Sequence, residues 1–167
     1  MSQATTHPDY EKYVARMRKI ADVTNSIGIL SWDQEVNLPT GAAGIRAQQI
    51  ATLSGIRYEL LTDESLGELL QNIIDKKEIN GEHIKNVKES KHDYDQQRKL
   101  SREFVMELSR LQSESLHAWT KARKADDFSM FQPHLEKLVE MKRQEAEARG
   151  YEAVSYTHLR AHETRRY

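Results

Sequence analysis

The sequence predicts an all-α protein built from long antiparallel helices that pair in coiled-coil fashion. Three observations carry this. Apolar residues recur at three- and four-residue spacings along most of the chain, and no segment alternates with period two. Glycine and proline are scarce, at 7 and 3 of 167 residues. Charged residues make up 31 % against 38 % hydrophobic, a balance that suits long solvated helix faces.

The first helix is marked by Tyr10, Tyr13, Met17, Ile20, Thr24 and Ile27, which form one stripe with Arg16, Arg18, Lys19 and Asp22 mostly outside it. Pro8 suits its first turn, and Asp9 and Glu11 sit near the positive end of its dipole. The spacing predicts a helix to about Glu35, ended by Asn37-Leu38-Pro39-Thr40-Gly41. A second helix is expected from about Ala42 to Leu61, with Ile50, Leu53, Ile56 and Leu60 inward. Thr62 or Asp63 can cap a short third helix that faces Leu66, Leu69, Leu70, Ile73 and Ile74 inward. Asn80-Gly81 punctuates the chain again.

From Glu82 to Gln132 there is neither glycine nor proline, which predicts one long helix to about Ala125. Leu100, Phe104, Leu108 and Leu111 mark its inner face, and Trp119 falls in phase after a gap at Ser115. After a break near Asp126-Asp127, Phe131, Leu135, Leu138 and Met141 define a last helix that ends at Gly150. These stripes read as core rather than as a cofactor box.

Composition narrows function. A net charge of -1 gives no reason to expect nucleic acid, and the basic clusters Arg98-Lys99 and Lys121 to Lys124 are interleaved with acids on solvated faces. The absence of cysteine removes disulfides, thiolate zinc sites and thiol nucleophiles. The opening MSQATTHPDYEKY is polar, without the apolar core of a signal peptide, which fits a cytoplasmic protein. Apolar runs such as Ile27 to Leu30 are far too short to span a bilayer.

Two histidine patterns have spacings that metal sites use. His158 and His162 are four apart and followed by Glu163. In His-Glu-x-x-His the glutamate lies between the ligands, where it can deprotonate a metal-bound water. Here Glu163 comes after the pair, and Ala161 occupies the place that the reversed motif needs. Glu89-x-x-His92 and Glu114-x-x-His117 match the paired motif of di-iron bundles. On one straight helix they would stand about 37 Å apart, so the expectation is surface polar residues. His83 and His134 have no ligand partner at convincing spacing. Gly41-Ala42-Ala43-Gly44 opens a helix but lacks the lysine and preceding strand of a phosphate loop, and reads as a tight inter-helix turn. No residue of the chain is assigned a catalytic, cofactor or metal role.

The stretch from Ile29 to Gln49 is more specific. Trp32-Asp33, Pro39, Gly41-Ala42-Ala43 and Arg46-Ala47-x-Gln49 resemble the N-terminal signature of the carboxypeptidase Taq family of metallocarboxypeptidases. Glu59 to Asp63, Leu66 to Leu70, Trp119, Arg123, Phe128, Phe131 and Pro133 to Val139 follow in the family's order, so the resemblance runs from about residue 8 to Ala153. Trp32, Asp33, Pro39, Gly41, Arg46, Trp119, Arg123 and Phe128 are carried over as structural motif residues only.

The resemblance implies a helical, cytoplasmic, homodimeric enzyme that removes single residues from peptide C-termini. It implies a zinc or cobalt ion held by His-Glu-x-x-His and a downstream glutamate, all beyond the matching residues. Residues 1–153 are thus expected to be the N-terminal part of a larger helical metallopeptidase domain, a wall or lid of the substrate groove that is inactive alone. Residues 154–167 resemble a translated adapter or cloning sequence and are set apart. The alternative is a helical scaffold or interaction module without catalysis.

Overall fold

The computed structural model describes residues 7–76, 79 and 81–150. Among these are six α-helices, two 3-10 turns and no strand. The helices are α1 (Pro8–Val36), α2 (Ala43–Thr62), α3 (Glu64–Lys76), α4 (Glu82–Gln97), α5 (Arg102–Ala125) and α6 (Gln132–Arg149), with turns at Thr40–Ala42 and Phe128–Met130. No helix among the described residues is long and apolar enough to cross a membrane.

Local chemistry sets most helix ends. Pro8 occupies the first turn of α1, and His7 Nδ1 accepts from the Asp9 N–H at 3.2 Å. Of the two candidate caps for α3, Asp63 is the one used, its carboxylate accepting from the Leu66 N–H at 3.2 Å. Gly150 closes α6 with φ 80°, a backbone angle that glycine adopts without steric cost.

The stretch expected to form one helix from 82 to about 125 is two. The chain turns at Arg98 to Ser101, where the Ser101 hydroxyl accepts from the Phe104 N–H at 3.1 Å and starts α5. Leu100 is buried in that turn, and its carbonyl accepts from the Tyr58 hydroxyl at 2.6 Å. A capping serine and an anchored leucine do here what glycine or proline does elsewhere.

Two hydrophobic clusters result. The larger joins Tyr10, Tyr13 and Ile20 of α1 to Leu66, Leu70 and Ile73 of α3, with Ile79 and with Val87 and Tyr94 of α4. The smaller holds α6 against α5 through Leu108, Leu111 and Met141, flanked by Phe104 and Leu138. Between them runs the most extensive helix contact, α2 on α5. It is made with small side chains: α2 buries Ala47, Ile50, Ala51, Ser54 and Gly55, and α5 buries Ser113 and Ser115. A Cβ on Gly55 would lie 2.8 Å from Met106 Sδ, so a side chain there would have to displace the methionine.

Three large residues expected inside are not. Ile56 is 39 %, Leu135 37 % and Trp119 41 % exposed. The inner line of α6 passes through Leu138 and Met141 instead.

Candidate functional site

The family-signature residues of α1 and α2 meet at the corner between these helices. The last turn of α1 closes as the N–H groups of Asn37 and Leu38 donate to the Asp33 carbonyl at 2.9 and 3.1 Å. Pro39 is extended, at φ -60° and ψ 144°, and its carbonyl accepts from the Ala42 N–H at 2.9 Å. Gly41 has open space around its Cα, and the Gly41 to Gly44 stretch forms the tight inter-helix turn that its composition suggests.

Arg46, one turn into α2, reaches back over this corner. Its Nη1 lies 2.6 Å from Asp33 Oδ2 and donates to the Leu30 carbonyl at 2.8 Å, while Nε donates to Gln49 Oε1 at 3.1 Å. The guanidinium is largely buried, which makes it a clamp between two helices rather than a free cation. The hydrogen bond from Arg46 is the main reason the Asp33 carboxyl sits below its usual pKa; partial burial opposes the shift, and a bond from Asn37 adds to it. A depressed folded-state pKa contributes stability that is fully present above the unfolded value of 3.8 and is lost as pH falls through the folded one. Arg46→Met is therefore expected to lower the Tm by about 3 °C at neutral pH. The gap should narrow as acid protonates Asp33, leaving the part that rests on the bonds to the Leu30 carbonyl and Gln49, a pattern that a calorimetric pH series reads directly; a gap independent of pH would contradict the Asp33 contact.

The remaining signature residues lie elsewhere. Trp32 points outward and is 61 % exposed. Arg123 lies over the Trp119 ring at 5.3 Å from its centroid, one turn away on α5. Phe128 is exposed beyond the end of α5, edge-on to Phe131 at 6.4 Å. No catalytic arrangement emerges from these eight residues.

The histidine patterns separate as well. His158, His162 and Glu163 lie outside the described residues, as do all of 154–167. Glu89 and His92 are exposed on α4, which packs on α3, whereas Glu114 and His117 are on α5, which packs on α2 and α6. The break at Ser101 thus puts the two pairs on separate helices, but it does not gather them into one group that could hold a metal ion. Among the described residues, no three His, Asp or Glu side chains are arranged to hold a metal ion.

Sequence spacing missed two placements. His83 pairs with Tyr10, its Nδ1 2.8 Å from the hydroxyl and its ring 4.6 Å from the tyrosine ring. His134 joins His117, Glu114, Lys121 and Met130 around a depression of about 400 Å³ beside the start of α2. The two imidazoles are far apart in sequence and on different helices, so no motif could have announced them. Burial, and then the charge of Lys121, push the His117 pKa down and favour its neutral form. Glu114 Oε1 accepts from Arg110 Nη1 there at 2.6 Å.

Residues 10–163 match the family model of the carboxypeptidase Taq (M32) metallopeptidases. The match continues past residue 153 into the segment that the sequence reading sets apart. The chain is 28 % identical over 159 residues to thermostable carboxypeptidase 1 of Pyrococcus furiosus, covering 95 % of this chain and 32 % of that protein. A solved structure of Pyrococcus furiosus carboxypeptidase, Apo-Mg, is similar with a TM-score of 0.70 and 27 % identity, over 90 % of this chain and 30 % of that one. The crystal structure of BsuCP agrees in fold with a TM-score of 0.85 at 22 % identity, over 93 % of this chain and 34 % of that one. The chain spans about a third of the length of each protein it matches here.

Proposed function

Because the chain belongs to the carboxypeptidase Taq (M32) metallopeptidase family, we propose that it is the N-terminal part of a metallocarboxypeptidase, an enzyme that releases single residues from peptide C-termini. The observation that carries this is a family match over nearly the whole chain combined with coverage of only 32 % of a full-length relative. In this reading the helices form a wall or lid of the substrate groove and limit which peptides enter. Hydrolysis belongs to the rest of the domain, and the whole protein is a cytoplasmic homodimer that does not engage nucleic acid or membrane. Zinc or cobalt is the metal proposed for that whole protein. The described residues do not fit it, since no three of their His, Asp or Glu side chains are arranged to hold a metal ion. No step of the hydrolysis is assigned to them.

The purified chain, incubated with a blocked dipeptide and zinc or cobalt, is expected to release no C-terminal amino acid above a metal-free control. Release that depends on the metal would overturn the proposed inactivity. Reading the gene beyond this sequence is expected to show a frame that continues to His-Glu-x-x-His. A frame without that motif would favour the alternative, a helical interaction module that never acts as a peptidase.

A further inference from the structure

The second half of α1 is patterned inside out. All three of its buried residues, Tyr10, Tyr13 and Ile20, lie in the first half of the helix. Beyond them, the side facing α2 and α5 is largely polar. Ser31, Gln34 and Ile27 line a cleft of about 320 Å³ with Ile50, Ser54 and Arg57, and Gln34 is hydrogen-bonded to the Ser113 hydroxyl. Three large apolar residues of this half are nonetheless turned to the outside. Ile29, Trp32 and Val36, spaced three and four apart and so on one face, are 66, 61 and 60 % exposed, and Ile45 at the start of α2 is 67 % exposed. A helix on the surface of a free-standing soluble protein has its apolar side inward.

We infer that the stripe Ile29, Trp32 and Val36, with Ile45, is the seat of the remaining part of the metallopeptidase domain. This rests on the proposed function and adds to it the surface by which the two parts are joined. Length argues for this occupant. The same fold makes up 34 % of the BsuCP chain, so about two thirds of such a polypeptide has to pack against this third. Interfaces between parts of one chain bury about 600–1,500 Å² and draw on apolar surface. Apart from these four residues and Phe128, no large hydrophobic among the described residues is more than 45 % exposed. A second copy of the chain would compete for this face only by encounter, whereas a covalently linked segment meets it at millimolar effective concentration.

The test grafts residues 8–150 in place of the matching third of Pyrococcus furiosus thermostable carboxypeptidase 1 and compares hydroxyl-radical labelling of the chimera with that of the full chain alone. In the chain alone, Ile29, Trp32, Val36 and Ile45 should label freely. In the chimera their labelling should fall to the level of buried Tyr94, while exposed Ile56 is unchanged. Continued labelling of the stripe in a chimera that protects Tyr94 would overturn the inference. Peptidase activity is scored separately: an active chimera with a labelled stripe sinks only the surface assignment, and a protected but inactive one counts against the proposed function.

Should the chimera fail to fold, sedimentation and urea unfolding of the full chain with Trp32→Glu and Val36→Glu decide. An unchanged urea midpoint with no stable dimer in either protein supports the seat. A stable dimer of the parent chain that the substitutions dissolve assigns the face to a second copy and overturns it, and a lowered midpoint overturns it by placing the stripe in this chain's own core.

Discussion

Leu70→Ala is expected to cost about 2–5 kcal/mol of folding stability, the range for truncating a fully buried leucine. Leu70 has no solvent exposure and sits where α1, α3 and α4 converge. Its neighbours are fixed from three sides. Tyr13 donates to the Asn86 carbonyl at 3.2 Å and pairs with Ser90 at 2.9 Å, so α4 cannot slide in to fill a void. Total stabilities of single domains run from about 5 to 15 kcal/mol, so this one change would remove a large share of what holds the chain folded. Urea titration monitored by helical circular dichroism gives the number. Leu135→Ala, in the half-empty face of α6, is the matched control and should shift the midpoint little, because that side chain is 37 % exposed. Equal losses at both positions would mean that the larger cluster is not where the stability lies.

Gly67→Ala acts by the opposite mechanism. Gly67 is buried in α3 beneath the Tyr94 ring; a Cβ there would stand 2.8 Å from Tyr94 Cε1 and closer still to its hydroxyl. The ring has no easy escape. It is 4 % exposed, and its hydroxyl accepts from Arg98 Nη1 at 3.1 Å. Overpacking of this kind costs about 1–3 kcal/mol or more, against the ~1 kcal/mol that alanine adds in a helix. The net expectation is a loss of about 2 kcal/mol, measured by urea unfolding. Tyr94→Leu in the same chain should recover much of it, because two residues in contact do not act additively. A stable Gly67→Ala protein, or a double variant no better than the single, would show that α3 and α4 are not locked at this point.

The sequence pattern reads well where large apolar residues carry the packing. Leu66, Leu70 and Ile73 repeat at helical spacing and are buried as that spacing predicts. Asp63, Pro8 and Gly150 each mark an end by a backbone need that is visible in one residue. The pattern misleads where small residues carry the packing. Ala47, Ala51, Ser54 and Gly55 join Ile50 on the buried side of α2, and a search for leucine and isoleucine finds Ile50 but also selects the exposed Ile56. The α4–α5 break is missed for a related reason: Ser101 before a first turn that holds Glu103 is a helix-start signal, and it is outweighed when only glycine and proline are counted. At the candidate site the signature residues are visible from their order alone. The Arg46 clamp is not, because a reach across sixteen residues to the Leu30 carbonyl depends on the corner between two helices.

The pairing of α1 with α4 also has a consequence for synthesis. Tyr10 meets His83 across 73 residues of chain, and Tyr13 meets Ser90 across 77. At elongation rates of about 5–20 residues per second, the first helix waits on the order of 4–15 s before its partners leave the ribosome. During that interval its two tyrosines and Ile20 have at most α2 and α3 to cover them, so the newborn polypeptide offers a partly bare amphipathic rod to any holdase nearby.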